Sequence, residues 1–190
     1  MKQIFITIVL AAVLTIPFAP PPEEPEAYAA EPKTEAIEKQ EFEPWDIPLP
    51  DDLQQYIHNL CEKYDISYAM VIAMIDVESG FNSKAVSSTN DYGLMQINAI
   101  NHKENTDYLD PYDNVEQGIK ALHKLAKKYN EADLVLMCWN CGETGARKLW
   151  EQGIYSTEYS RKVLETKLEY ERKNRSSLGE KNLKKGWIIL

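Results

Sequence analysis

The sequence lacks most features that assign a chain to a common class at once. It has three cysteines and three histidines in 190 residues, no internal repeat and no convincing set of long strands, which argues against β and α/β folds. It has no basic footprint of the kind that nucleic-acid binding requires, so we expect no nucleic-acid partner. The 44% of hydrophobic residues is still enough for one packed core in a domain of ordinary size.

The acidic charge is confined to one segment. The formal net charge is -9, and residues 21–52 carry eleven acidic residues against two lysines, so the rest of the chain is close to neutral. Acidic, proline-rich segments with few aromatic residues are typical of solvated linkers. We therefore predict a linker over 21–50, a folded domain over 51–172 and a basic tail over 173–190.

The N-terminus has the pattern of a targeting segment. Lys2 precedes an apolar, uncharged run over residues 4–18, which matches a signal-peptide core and is short for a full membrane span. Residues 1–20 are predicted to be either a cleaved signal peptide or a retained membrane anchor. Both alternatives place the domain outside the cytoplasm.

The three cysteines are Cys61, Cys138 and Cys141, an odd number that leaves at least one free or paired with another chain. Export would permit a bridge from Cys61 to either of the others, but we favour three small buried residues. With His102 and Glu104 upstream, the Cys-x-x-Cys pair has the spacing of a zinc deaminase signature. The proline of that signature and the strand–helix alternation are missing, so we predict no metal, no cofactor and no redox chemistry.

The domain is predicted to be helical nearly throughout. Apolar residues recur at helical spacing from Leu53 to Tyr64. Ser67 can cap a second helix, which is apolar on nearly every side and ends at Gly80; such a helix belongs inside a core. The fold class is therefore mainly α, with at most a small β element within residues 81–98.

Three further helical patterns follow along the chain. Asp113 and Glu116 have the spacing of a capping box for a third helix. Two shorter helices are predicted over about 131–141 and 144–152. Ser156 or Thr157 is predicted to cap a last long helix.

Glu78 is the residue best placed for chemistry. It stands near the end of the apolar helix, where loss of water and the negative helix end both raise the pKa of a carboxyl group. A carboxyl that is still protonated near neutral pH can act as a general acid. A glutamate that simply turns out to solvent is the competing interpretation, since charged residues are mostly exposed.

Several motifs in one order resemble a known family. They are Glu78-Ser-Gly-Phe-Asn82, then Ser87, then Gly93-Leu-Met-Gln-Ile97, then Asn140-x-Gly142, and last the segment 155–163. Together they resemble the goose-type-lysozyme-like lytic transglycosylases with an SLT domain. The resemblance covers roughly residues 55–165, and it implies a lysozyme-like SLT fold.

The resemblance also implies roles for single residues. Glu78 matches the single catalytic acid and base of the family. The expected substrate-binding residues are Ser87, Gln96, Trp139, Asn140 and Tyr159. Trp139 departs from the family, which has tyrosine at this place; the indole can stack on a sugar ring but has no hydroxyl group.

The implied reaction is cleavage of peptidoglycan glycan strands between N-acetylmuramic acid and N-acetylglucosamine, leaving a 1,6-anhydro end. It needs no metal and no cofactor, because the substrate supplies the nucleophile. The place of action would be the cell wall, reached by secretion or from a membrane tether through residues 4–18. The sequence gives no oligomeric state.

Two other functions stay open. The stretch from Ser88 to Asn98 is also similar to c-type animal lysozymes, in which an aspartate is the second catalytic carboxylate; Asp91 takes that position and would make the chain a muramidase. Asp91 can equally be a loop residue that hydrogen-bonds its own turn. The third alternative is a non-catalytic glycan-binding module, against which an intact Glu78 argues.

Overall fold

The computed structural model describes residues 42–98 and 107–184. In chain order the elements are α1 (Asp51–Tyr64), α2 (Tyr68–Ser79), β1 (Asp91–Tyr92), β2 (Ile97–Asn98), α3 (Pro111–Lys128), α4 (Ala132–Trp150) and α5 (Glu158–Lys184). This confirms a mainly α fold with a small β element. No helix within these described ranges is long and apolar enough to cross a membrane. The apolar run at 4–18, the linker up to residue 41 and the 102–104 sequence lie outside them.

Helix α2 is the centre of the core. Residues 71–75 are fully buried. Helix α5 packs along α2, and it also packs on α4. Helices α1 and α4 both pack on α3. The side chain of Ser67 accepts a hydrogen bond from the backbone N of Met70 at 3.3 Å. Gly80 ends the helix with a φ of 57°, a conformation that glycine adopts without strain. The predicted bounds of this helix are confirmed, and they place Glu78 in its last turn.

Helix α3 begins earlier than its predicted cap. Asp110 precedes Pro111, and its Oδ1 accepts hydrogen bonds from the backbone N of Tyr112 and of Asp113, both at 2.9 Å. Proline suits the first helical position because the N–H that it lacks has no partner there. The predicted capping box of Asp113 and Glu116 is therefore wrong.

Helix α4 agrees with the sequence pattern, whereas α5 is longer than predicted. The two short helices predicted over 131–141 and 144–152 correspond to the two parts of α4, which are separated by a kink at Gly142, whose φ of 68° and ψ of 161° are not helical. Thr157 caps α5, since its Oγ1 accepts a hydrogen bond from the backbone N of Ser160 at 3.2 Å. Helix α5 continues past Lys173, where the sequence predicted a tail, as far as Lys184.

Residues 42–50 lie against the helices instead of belonging to the linker. The buried side chain of Gln54 accepts a hydrogen bond from the backbone N of Trp45 at 2.8 Å. It donates to the carbonyl oxygens of Trp45 and Leu49 at 3.1 and 2.9 Å. The ring of Trp45 meets the ring of Tyr68 edge-on at 4.8 Å. The folded unit therefore begins before Asp51.

The cysteines differ in exposure. Cys61 and Cys138 are buried, Cys141 is exposed, and all three thiols are free. The prediction of three buried cysteines is wrong for Cys141, because this residue lies on the outer side of α4.

Candidate active site

Three helices converge on the carboxylate of Glu78. Trp139 of α4 donates its indole Nε1–H to Glu78 Oε1 at 2.8 Å. The hydroxyl of Tyr159, at the start of α5, donates to the same oxygen at 2.5 Å. Oε2 makes no hydrogen bond within the residues that the structure describes. One of the two carboxylate oxygens is thus held by two donors from the protein.

The surroundings of Glu78 act on its pKa in both directions. Burial raises the pKa above its ordinary value, because a charged carboxylate loses water. The hydrogen bonds from Tyr159 and Trp139 lower it, and the negative charge of Asp91 raises it again. The net direction is upward, as the sequence predicts. Glu78 can therefore keep a proton at a pH where an exposed glutamate has lost it.

The two donors differ in chemistry. An indole N–H can only donate a hydrogen bond, whereas a phenol can donate or accept. Burial and the neighbouring Glu78 raise the pKa of Tyr159, so that its hydroxyl stays protonated and acts as a donor here. Trp139 thus supplies to Glu78 a donor that the sequence analysis did not foresee.

Asp91 lies in a different environment. Ser87 Oγ and Thr89 Oγ1 donate to its Oδ2 at 2.8 and 2.5 Å, and Asn98 Nδ2 donates to its Oδ1 at 2.7 Å. Burial alone would raise the pKa of Asp91, but the three hydrogen bonds outweigh it and hold the pKa below its ordinary value. Asp91 is therefore an ionised carboxylate whose two oxygens are both engaged.

Ser87 and Gln96, two of the other predicted site residues, form side-chain hydrogen bonds within their own loop. Ser87 belongs to the Asp91 network and also accepts hydrogen bonds from the backbone N of Thr89 and Asp91 at 3.1 and 3.0 Å. Gln96 has a φ of 46° and donates its Nε2 to the carbonyl oxygen of Gly93 at 2.9 Å. Its Oε1 makes no hydrogen bond among the described residues.

Asn140 is the most open of the predicted site residues. It is exposed on α4, next to Trp139 in the chain. The structure thus brings Trp139 and Tyr159 into direct contact with Glu78. Ser87, Gln96 and Asn140 make no hydrogen bond to Glu78.

Asn114 of α3 is a residue that the sequence analysis missed. It is fully buried; its Oδ1 accepts a hydrogen bond from the backbone N of Met95 at 2.8 Å, and its Nδ2 donates to the carbonyl oxygens of Tyr92 and Tyr108 at 2.8 and 2.9 Å. A Cβ atom at Gly93 would lie 2.5 Å from the Asn114 amide, so only glycine fits this approach. Asn114 therefore fastens the loop that carries Gln96 to the core.

A buried central helix with a half-buried glutamate in its last turn, together with a small hairpin, places the chain in the lysozyme-like class of folds. The model of the family described as "Transglycosylase SLT domain" matches residues 55–161, and the chain belongs to this family.

The chain is similar to Protein IpgF of Shigella flexneri and of Shigella sonnei. Each is 29% identical over an alignment of 126 residues, and the alignment covers 60% of this chain and 82% of the relative. Among solved structures, an X-ray structure of an inactive mutant of the lytic transglycosylase Slt from Pseudomonas aeruginosa matches with a TM-score of 0.55 at 19% identity. That match covers 64% of this chain and 24% of the Slt chain. At this identity it shows the fold alone.

Proposed function

We propose that this chain is a peptidoglycan lytic transglycosylase in which Glu78 is the single acid and base. The observation that carries the proposal is the state of the Glu78 carboxyl, which has a raised pKa and one oxygen held by two donors from separate helices. Membership of the SLT family supports the reaction type and peptidoglycan as the substrate. The bond to be cut is the β-1,4 bond between N-acetylmuramic acid and N-acetylglucosamine.

The first step is protonation of the leaving group. Glu78 Oε2 gives its proton to the glycosidic oxygen, and positive charge develops at the muramoyl C1. Glu78 becomes an anion as this happens. The hydrogen bonds from Trp139 and Tyr159 to Oε1 stabilise that anion and therefore favour the transition state over the ground state.

The second step forms the anhydro end. The ionised Glu78 takes the proton of the muramoyl C6 hydroxyl, and the C6 oxygen bonds to C1. Glu78 is protonated again and ready for another cycle. A single carboxylate suffices because the substrate itself supplies the nucleophile.

Substrate binding is assigned to residues around this carboxylate. The indole face of Trp139 suits stacking on a sugar ring, and the exposed side chain of Asn140 offers both a donor and an acceptor. Gln96 contributes its Oε1. Ser87 acts through the loop, since its hydroxyl is already bonded to Asp91.

A muramidase with Asp91 as second carboxylate is the second candidate. The observation in its favour is that the charge of Asp91 raises the pKa of Glu78, so the two groups interact. Against it, three donors occupy both oxygens of Asp91, which weakens it as a nucleophile or base. The transglycosylase reaction needs no such group and is therefore preferred.

The proposed place of action is the cell wall. Residues 1–20 would deliver the domain there as a cleaved signal peptide or as a membrane anchor. The acidic linker would then act as a spacer.

Product analysis tests the proposal. Purified sacculi are digested in ¹⁸O-labelled water, and the muropeptides are identified by mass spectrometry. A transglycosylase leaves 1,6-anhydro ends without the label, because no water enters the product. Labelled reducing ends would instead show a muramidase. If the purified, folded protein released neither product, glycan binding would be the remaining function.

A further inference from the structure

Two thiols bracket two of the proposed substrate-binding residues. Cys138 and Cys141 stand on either side of Trp139 and Asn140 in α4. Cys138 is buried and Cys141 is exposed. The proposed reaction uses neither thiol, and the inference below replaces the expectation from sequence that this pair has no redox chemistry.

The spacing of the two cysteines puts them at neighbouring positions on one face of α4. Residues three apart on a helix have Cβ atoms about 5–6 Å apart, and a disulfide needs about 3.5–4.5 Å. Cys141 Sγ lies 3.1 Å from the carbonyl oxygen of Met137, so it points back over the turn that carries Cys138. For a bridge to form, the turn must tighten until the two Cβ atoms are roughly 1–2 Å closer than in a regular helix.

The chain just beyond the pair permits that tightening. Gly142 follows Cys141 directly and departs from helical geometry with a φ of 68° and a ψ of 161°. Its Cα faces open space, since a Cβ added there would meet no atom within 4 Å. The last turn before Gly142 can therefore contract without forcing the rest of α4 to move.

We propose that Cys138 and Cys141 form a reversible disulfide, and that this bond switches off the site by moving Trp139. The catalytic part of this inference rests on the proposed function. The oxidant is a small-molecule disulfide, with oxidised glutathione as the probe. Cys141 as thiolate attacks one glutathione sulfur and releases a first glutathione thiolate. Cys138 as thiolate then attacks the Cys141 sulfur and releases the second. The protein loses two hydrogens, and one glutathione disulfide is reduced to two thiols.

The consequence for Glu78 follows from the position of Trp139. Bringing the two Cβ atoms together overwinds the turn that includes Trp139, whose Nε1 is 2.8 Å from Glu78 Oε1. Rotation of the indole lengthens or breaks this hydrogen bond. The anion that Glu78 becomes during the reaction then loses one of its two donors, and turnover falls.

Cys61 provides a matched control. It is buried in α1, 3% exposed, and burial raises the pKa of its thiol to about 12. Burial also raises the pKa of the Cys138 and Cys141 thiols, so the control rests on position: Cys61 has no second cysteine in its helix, whereas Cys141 is exposed to the oxidant and three residues from Cys138. Cys61→Ser should therefore leave the response to oxidant unchanged, whereas Cys141→Ser should abolish it.

The test compares wild type, Cys141→Ser and Cys61→Ser before and after oxidised glutathione. Peptide mass spectrometry is expected to find a loss of two hydrogens on the peptide with Cys138 and Cys141, in wild type and in Cys61→Ser. Digestion of sacculi by these two proteins is expected to fall about tenfold, the effect of losing one hydrogen bond to a charged group. Dithiothreitol is expected to restore it.

Two results would overturn the inference. One is a glutathione adduct on Cys141 without an internal bridge. The other is a complete bridge with unchanged turnover. If the reduced wild-type protein digests nothing, the proposed function fails instead. The switch is then judged by the tryptophan fluorescence that Trp139→Phe removes: a change in it on bridging supports movement of Trp139, and its constancy refutes it.

Discussion

Glu78 and Asp91 both stand at an end of a secondary-structure element, yet their surroundings shift their pKa values in opposite directions. Glu78 follows five fully buried residues of α2, and its two donors both reach Oε1. Asp91 begins β1, and its three donors reach both oxygens. Burial prevails at Glu78 and hydrogen bonding prevails at Asp91. The balance between burial and the number of donors, more than residue type, decides which carboxyl can hold a proton.

The largest expected effect comes from removing the proton of Glu78. Glu78→Gln keeps the shape of the side chain but can neither give nor take a proton, so digestion of sacculi should fall by about 10³-fold or more. Glu165→Gln, at an exposed position of α5, is the control and should keep full activity. Circular dichroism should show the same helix content for both. Activity of Glu78→Gln near that of the control would falsify its assigned role.

A large loss of stability is expected from Asn114→Ala. The change leaves the backbone N of Met95 and the carbonyl oxygens of Tyr92 and Tyr108 without their partner, and unpaired buried groups are costly. The free energy of unfolding should fall by about 3 kcal/mol, measured by urea denaturation. Asn59→Ala, at an exposed position of α1, should change it by less than about 0.5 kcal/mol. Equal stability of the two variants would contradict the part given to Asn114.

The core helix and its glutamate were predictable because their signals are local. Ser67 and Gly80 mark the ends of α2, and its all-round apolar character indicates burial. The cap of α3 was misplaced because two local signals competed, and Asp110 followed by proline prevails over the spacing of Asp113 and Glu116. The fold class followed from helical spacing and the lack of strands.

The contacts between elements were not predictable in the same way. Trp139 and Glu78 lie 61 residues apart, and whether an indole N–H reaches a carboxylate depends on how α4 packs at the end of α2. The sequence did contain a signal for Asn114. It is a polar residue next to Val115 and four residues before Gly118, on the buried face of α3. A buried polar residue must be bonded, but the sequence does not say to what.

A medium effect is expected from Trp139→Phe. Loss of the indole donor destabilises the anionic form of Glu78, so turnover should fall about tenfold. The pKa of Glu78 should rise further in this variant, because the hydrogen bond from Trp139 lowers the pKa of Glu78. The decline of kcat/KM at alkaline pH should then begin at a higher pH than in wild type. Trp139→Tyr restores a donor and should recover most of the rate. If Trp139→Phe changed neither the turnover nor the pH profile, Trp139 would be a packing residue only.

The smallest effect is expected from Asp91→Asn. Removing the negative charge of Asp91 removes one cause of the raised pKa of Glu78, so the alkaline decline of kcat/KM should begin at a lower pH, opposite to Trp139→Phe. The maximal rate should stay within about threefold of wild type, since the proposed reaction uses one carboxylate. A loss as large as that of Glu78→Gln would favour the muramidase.

The most direct measurement is a titration of Glu78 itself. Protein with ¹³C-labelled glutamate side chains is titrated by NMR, and the Glu78 signal is identified as the one that Glu78→Gln removes. We predict a midpoint clearly above the ordinary glutamate value of 4.5, and above those of Glu116 and Glu143, whose pKa values hydrogen bonds from lysine hold below it. A midpoint for Glu78 at or below 4.5 would contradict the claim that burial raises the pKa of Glu78 and so keeps it protonated for proton donation.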